Sequence, residues 1–231
     1  MFYMFDSLYL MLLGPPMLLA MWATFKVKTA FRKAKKIRVS SGMSGAEAAA
    51  HILERSGLYH VAIEPTNGFL SDHYDPRKKV LRLSPEVYQG RSIAAVGIAA
   101  HEVGHALQDQ AAYSPLALRN AIVPMAGFGS NASFMIFILG MFMQIPFLMV
   151  AAIVLFSAVV VFQLVNLPVE FNASSRARAL LVDTGVIRPE EDRAVGKVLN
   201  AAAMTYVAGT LTAIATLIYY IIRSGLLGGR D

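Results

Sequence analysis

Apolar residues are concentrated in long blocks that alternate with charged segments along the 231-residue chain. Residues 1–25 contain a single charge, Asp6, and residues 120–169 contain none. A helix rises 1.5 Å per residue, so the second block would extend about 75 Å, enough to cross a bilayer core of about 30 Å twice. A further uncharged block, 198–222, precedes Arg223. The pattern predicts four transmembrane helices, at 1–25, 120–143, 146–167 and 198–222.

In the charged segment 26–119, short stretches with the hydrophobic periodicity of helices alternate with short stretches typical of strands, which predicts a small α+β domain. Ser44 and Glu47 have the spacing of a capping box and predict a helix that ends at Gly57. Ser92 stands where a second helix would begin. Three short strands separated by turn residues predict a β-meander, at 61–63, 69–74 and 79–83. The second polar segment, 168–197, predicts two helix ends, because Gly185 is typical of a helix stop and Pro189 of a helix start.

The composition fits a multi-span membrane protein, since 56% of the residues are hydrophobic and 16% are charged. The net charge of +6 comes from basic residues beside the apolar blocks, which argues against a nucleic-acid-binding stripe. Of the 21 Lys and Arg residues, 14 lie in 26–119 and 5 in 168–199. The positive-inside rule therefore places these segments in the cytoplasm and both termini outside the cell membrane. No basic residue precedes the first block, which argues against a cleaved signal peptide.

The clearest chemical motif is the sequence His-Glu-x-x-His at residues 101–105. Residues four apart share one face of a helix, so His101 and His105 can bind one cation, and zinc is the expected one. The chain has no cysteine, so any metal must be held by nitrogen and oxygen. Glu102 lies one step around the helix, where it can act as the general base toward an attacking water. Gly104 removes bulk where a substrate or a second helix would approach.

A catalytic zinc site usually has three protein ligands, and the nearby candidates fail. Ala111 and Gln108 occupy the positions of the third histidine and the glycine of the metzincin pattern, and Asp109 lies about 12 Å along the helix from His101. Glu170 is the strongest candidate because it ends the long uncharged run on the side expected for His101. Weaker candidates are Asp183, Glu190 and Glu191. Two residues are candidates for stabilising the oxyanion, Arg176 and His73.

Four stretches resemble one known family: TNGFLSDHYDPR (66–77), KVLRLS (79–84), AAHEVGHALQ (99–108) and LPVEFNAS (167–174). In their order and content they are similar to the YugP-type neutral zinc metallopeptidases of bacterial membranes. The resemblance implies a gluzincin-like peptidase with His101, His105 and Glu170 as ligands of one zinc ion and Glu102 as base. Related CAAX prenyl endopeptidases carry Asp four residues after the ligand glutamate, where this chain has Ser174, so Ser174 or Asn172 is expected to support the histidines.

The expected fold is a mainly α multi-pass membrane protein with a small zincin-like cytoplasmic α+β domain that contains the β-meander. The expected function is a membrane-embedded zinc metalloendopeptidase that cleaves membrane or membrane-proximal proteins at the cytoplasmic face. Its expected partners are a protein or peptide substrate and the lipid bilayer. An accessory protein could also take part, and no binding to nucleic acid is expected. One alternative is a site-2-type intramembrane protease, suggested by residues 166–168 and 183–185. Another is a non-catalytic membrane scaffold with a structural metal.

Overall fold

A computed structural model describes residues 6–226, and within this range the chain is mainly helical. Seven helices and three strands occur in the described residues. In chain order they are α1 Ser7–Ala34, α2 Gly45–Arg55, β1 Ala62–Pro65, β2 His73–Asp75, β3 Val80–Leu83, α3 Pro85–Tyr88, α4 Ile93–Gln110, α5 Ser114–Met143, α6 Pro146–Asp183 and α7 Pro189–Arg223.

Four of the described helices, α1, α5, α6 and α7, are long and apolar enough to cross a membrane. The prediction of four candidate membrane spans is therefore confirmed by length and composition. The first five residues of the predicted span 1–25 lie outside the described residues, as does Arg230 of the charge count. The reversal between α5 and α6 falls at Gln144, where it was expected, and Gln144 has the left-handed φ of 53° that a tight turn uses.

The described chain divides into two compact units. The apolar unit contains residues 6–23, 117–168 and 205–226, and the mixed unit contains residues 24–116 and 169–204. The boundary at Pro168 and Val169 lies inside the continuous helix α6. One helix thus contributes its apolar first part to one unit and its polar last part to the other.

The sheet of the mixed unit has the strand order β1-β3-β2. Strand β1 pairs with β3 in parallel, with Ala62 opposite Val80, and β2 pairs with β3 as an antiparallel hairpin. The predicted β-meander is therefore wrong, because a meander would place β2 in the middle. The hairpin turn was expected correctly, and Asp75 accepts hydrogen bonds from the backbone N–H groups of Arg77 and Lys78.

The predicted strand at 69–74 is also wrong in most of its length, since β2 begins only at His73. Gly68 and Leu70 have left-handed φ angles of 112° and 52°, which an extended strand cannot contain. Asp72 then turns its carboxylate back to accept a hydrogen bond of 2.7 Å from the Ser84 N–H. The segment between β1 and β2 is consequently a loop that crosses over β3, and this loop causes the strand order observed.

Helix α4 lies in the hydrophobic core of the mixed unit. Its Val96 and Val103 side chains are fully buried, and Ser92 caps its start by accepting a hydrogen bond from the Ala95 N–H. The capping box predicted for α2 is present, with reciprocal hydrogen bonds between Ser44 and Glu47. Helix α4 packs against α2, α3 and the strands β2 and β3. Its remaining face, which carries the two histidines, therefore has little freedom.

Candidate metal centre

Helices α4 and α6 cross in very close contact at Gly104. A Cβ atom added to Gly104 would lie 2.6 Å from the carbonyl oxygen of Ala173, far inside van der Waals contact. The close approach therefore requires glycine at this position. The space that a side chain would fill is occupied by helix α6. Glu170 and Ser174, four residues apart on one face of α6, are brought opposite His101 and His105 by this crossing.

The three residues expected to bind metal converge in the structure. The Nε2 atom of His101 lies 3.2 Å from Oε2 of Glu170, and Nε2 of His105 lies 3.7 Å from the same oxygen. All the ligand atoms of this group lie within 4.8 Å of one another. Zinc bonds of about 2.0–2.1 Å in a tetrahedron would separate neighbouring ligand atoms by about 3.3–3.4 Å. The separations from Glu170 are close to this value, so the donor set fits a zinc ion.

The electrostatics of the group favour a bound cation. Glu170 is only 3% exposed, and burial acts to raise its pKa. Hydrogen bonds with His101 and His105 outweigh burial and hold the pKa of Glu170 well below its usual range. For His105, burial acts to lower the pKa, but Glu170 and Glu102 outweigh it and raise the pKa. A buried carboxylate kept in its charged form between two imidazoles is a suitable environment for a divalent ion.

Each histidine also has a partner at its other ring nitrogen. The Nδ1 atom of His101 lies 3.1 Å from Oγ of Ser174, and Nδ1 of His105 lies 3.0 Å from Oε1 of Gln108. Asn172 makes no hydrogen bond to either ring, but its Oδ1 accepts a hydrogen bond of 3.0 Å from Gln108. Such contacts orient imidazoles so that Nε2 faces the metal. Both Ser174 and Asn172 therefore belong to the support of the site, one directly and one through Gln108.

Glu102 is buried beside this group and has an unengaged carboxylate. Its side chain is 7% exposed and makes no hydrogen bond or ion pair with any residue between 6 and 226. A second carboxylate, Asp72, lies close enough to interact with it: burial raises the pKa of Asp72, hydrogen bonds from Ser84 oppose this, and the charge of Glu102 adds to the increase. Sequence reasoning missed Asp72, and its place in the segment 66–77 was the only available signal.

The two residues expected to stabilise an oxyanion have other contacts. Arg176 donates a hydrogen bond of 2.8 Å from Nε to Oδ1 of Asn172. His73 lies exposed on β2, with Nδ1 2.8 Å from the carbonyl oxygen of Ser71. Within residues 6–226, neither makes a hydrogen bond to the metal group. The weaker ligand candidates also lie outside that group: Asp183, Glu190 and Glu191.

Asp109, which was excluded as a ligand by its distance from His101, connects helix α4, the metal helix that carries the two histidines, to the sheet. Its Oδ2 atom accepts a hydrogen bond of 2.7 Å from the Tyr74 hydroxyl and one of 2.5 Å from Nζ of Lys79. Tyr74 lies on β2, and Lys79 lies in the turn that leads to β3. The cluster therefore ties the hairpin to the last turn of α4, four residues beyond His105.

Comparison with known proteins agrees with this geometry. A family model described as "Putative neutral zinc metallopeptidase" matches residues 9–225. The protein named "Putative membrane protease YugP" from Bacillus subtilis (strain 168) is 50% identical over 213 residues, which cover 92% of this chain and 94% of that protein. No solved structure matches the chain. With a family model that covers nearly its whole length, the chain belongs to the neutral zinc metallopeptidase family.

Proposed function

We propose that the protein is a membrane-embedded zinc metalloendopeptidase that cleaves membrane or membrane-proximal proteins at the cytoplasmic face. The observation that carries the proposal is the convergence of His101, His105 and Glu170 beside the unengaged carboxylate of Glu102. Three ligands leave one position of a tetrahedral ion open, which is typical of catalytic zinc sites. The membership of the family supports a zinc-dependent hydrolysis of peptides.

One zinc ion per chain would be held by the Nε2 atoms of His101 and His105 and by the Glu170 carboxylate. When bound, zinc polarises the scissile carbonyl and makes the attacking water more acidic. Because Glu170 is buried and ionised, it offsets one of the two positive charges of the ion. The ion and its three ligands together would then carry one net positive charge, which would attract the developing oxyanion.

Glu102 acts as the general base and then as the proton carrier. Its carboxylate accepts a proton from the attacking water while the water oxygen adds to the carbonyl carbon. When the C–N bond breaks, Glu102 delivers the proton to the leaving amine nitrogen. Its lack of hydrogen bonds to the described residues leaves both carboxylate oxygens available for this transfer.

Strand β2 supports a site for an extended substrate. It is an edge strand of the described sheet, and it is tied to the metal helix through Tyr74 and Asp109. Extended peptides commonly bind by adding a strand to such an edge. His73 on β2 is our proposed second donor to the oxyanion, because its Nε2 atom makes no hydrogen bond within residues 6–226.

The cytoplasmic location of the zincin-like domain is part of the proposal. It is supported by the excess of Lys and Arg in the segments 26–119 and 168–199, which the positive-inside rule assigns to the cytoplasm. Four spans would then return both termini to the outside of the cell membrane. The protein substrate and the bilayer are the proposed partners, and an accessory protein that delivers the substrate is compatible with this arrangement.

The two alternative functions have less support. A site-2-type intramembrane protease needs its metal histidines inside a span, whereas α4 is not one of the four candidate spans among the described helices. A scaffold with a structural zinc would need a closed site, usually with four protein ligands. The group found within residues 6–226 has three.

The decisive experiment compares Glu102→Gln with the wild-type protein purified in detergent. We expect both proteins to contain about one zinc ion, and only the wild type to cleave peptides. Membrane proteomes of cells that produce each form would then identify the substrate by its accumulation with Glu102→Gln. Glu54→Gln, an exposed change of the same kind on α2, is the matched control. Cleavage by Glu102→Gln at the wild-type rate would contradict the proposed mechanism.

A further inference from the structure

Gln108 is a polar residue enclosed in the core next to the metal group. Its side chain is 0% exposed, and it lies one turn after His105 on α4. A buried amide is costly unless each of its polar atoms finds a partner. Glutamine at this position therefore requires a specific set of contacts, and the structure provides them.

The contacts of Gln108 fix the direction of its amide. The Nε2 atom donates two hydrogen bonds, one of 2.8 Å to the carbonyl oxygen of Val169 and one of 3.0 Å to Oδ1 of Asn172. Both partners are oxygens that only accept, so the nitrogen of the amide must face α6 and Oε1 must face His105. Oε1 can only accept, so Nδ1 of His105 carries a proton, and Nε2 is the ring nitrogen that would give its lone pair to a bound metal.

Asn172 is itself held in place by a charged residue. Its Oδ1 atom accepts from Gln108 and also from Nε of Arg176, at 2.8 Å. Arg176 lies four residues further along α6, on the same face as Asn172. A charge-assisted hydrogen bond is stronger than a neutral one, so Arg176 restricts the rotation of the Asn172 amide.

The support of His101 is weaker by comparison. The hydroxyl of Ser174 can donate or accept, so it permits either tautomer of His101. The amide of Gln108, with its nitrogen committed to two acceptors, permits only one tautomer of His105. The polar chain on the His105 side is therefore the one that selects a metal-binding state.

We propose that Gln108 is a positioning residue that sets the tautomer and orientation of His105 for zinc, and that Asn172 and Arg176 hold Gln108 in place. The proposal rests on the metal site of the proposed function. It assigns Arg176 a structural role toward a ligand in place of the role toward the oxyanion that the sequence suggested. Arg176 acts on His105 through two intervening side chains, Asn172 and Gln108, and is a positioning residue, not a catalytic one.

The first test measures the zinc affinity of the full-length protein by competition with a chromophoric chelator. Gln108→Met keeps the length of the side chain and removes its hydrogen bonds, and we expect zinc affinity to fall about 10- to 100-fold. Gln110→Met, on the exposed face of the same turn, is the control and should bind zinc like the wild type. Wild-type affinity in Gln108→Met would overturn the proposal.

A second test uses substitutions at Arg176 and Asn172, the partly exposed end of this series of hydrogen bonds, so it does not depend on the folding of Gln108→Met. We expect Arg176→Gln to lower zinc affinity by up to about 10-fold in the wild-type background and to have no further effect in Asn172→Leu. Arg193→Gln, which removes an exposed positive charge, is the control and should leave zinc affinity unchanged. If Arg176→Gln instead lowers kcat in both backgrounds and leaves zinc affinity intact, Arg176 acts on the oxyanion and the proposal is wrong.

The thermal midpoint of the zinc-free protein separates a folding defect from a positioning defect. Arg176→Gln is expected to lower zinc affinity at a midpoint close to that of the wild type. A fall in affinity that appears only together with a large fall in the midpoint would contradict a positioning role. The zinc-affinity and midpoint measurements need no proteolysis, so a protein that binds zinc and cleaves nothing would refute the proposed function and leave this inference standing.

Discussion

Helix α6 is approached closely by glycines in both units, but the two contacts have different surroundings. In the mixed unit, Gly104 of α4 meets Ala173, and a Cβ there would lie 2.6 Å from the Ala173 carbonyl oxygen. In the apolar unit, Gly129 of α5 meets Leu155, and the corresponding distance is 2.8 Å. The backbone contacts are therefore nearly equal, and only the side chains around them differ.

Around Gly104, the neighbouring side chains form a connected polar group. His101 and His105 contact Glu170, and each ring has a second partner in Ser174 or Gln108. The described core of the apolar unit is built from aliphatic and aromatic side chains such as Phe137, which stacks on Tyr220 at 3.9 Å. Close packing of helices is thus shared by both units, and the ability to bind metal comes from buried polar groups that satisfy one another.

The largest difference between the units should appear when zinc is removed. Binding at a free zinc concentration 1,000 times the Kd stabilises the site by about 4 kcal/mol, so chelation should reduce the protection of α4 and of residues 169–183. Hydrogen exchange followed by mass spectrometry measures this. Exchange in the α5–α6 hairpin at residues 129–160 should stay unchanged, and equal loss of protection in both regions would contradict a zinc site confined to the mixed unit.

Glu170→Gln should produce the next largest effect. Loss of a residue that only supports a ligand reduces metal affinity by about 10- to 100-fold, so loss of a ligand carboxylate should exceed 100-fold. Competition with a chelator measures the affinity, and Glu190→Gln at the exposed start of α7 is the control. Full zinc occupancy of Glu170→Gln would require another third ligand.

Substitution of the two glycines compares the units directly. Gly104→Ala and Gly129→Ala each force a methyl group into a contact shorter than 3 Å, and each should reduce the free energy of unfolding by about 1–3 kcal/mol. Only Gly104→Ala should also weaken zinc binding, since it separates Glu170 from the histidines. Thermal unfolding and zinc titration of both variants test this, and weaker zinc binding in Gly129→Ala would contradict the separation of roles.

Sequence reasoning succeeded where a local pattern marks a residue and failed where a feature depends on contacts between distant residues. Helix spacing singled out His101 and His105, and the end of the long uncharged run singled out Glu170. The structure brings these three residues together. The order of the strands depends on the long-range pairing of β1 with β3, which turn residues alone do not specify, so the meander prediction failed.

Gln108 shows a different limit of sequence reasoning. In the sequence it only marked the absence of the metzincin glycine, because a glutamine in a helix is usually exposed. Its burial and its contacts arise from the crossing of α4 with α6, and that crossing depends on residues about 65 positions apart. Asp72 was missed for a similar reason, because its contact with Ser84 depends on a loop that replaced the predicted strand.

The smallest expected effect concerns the connection between the metal helix and the sheet. Asp109→Asn still offers an oxygen to Tyr74 but loses the charge that attracts Lys79. The ion pair between Asp109 and Lys79 is partly exposed and contributes at most about 1 kcal/mol. If β2 binds the substrate, KM should rise about 2- to 5-fold while zinc affinity and kcat stay near the wild type. Lys79→Gln should give the same change, and the double variant should add little, because both substitutions remove one interaction. Loss of zinc from Asp109→Asn would instead show that Asp109 helps to hold the metal, which would contradict a role limited to connecting α4 to the sheet.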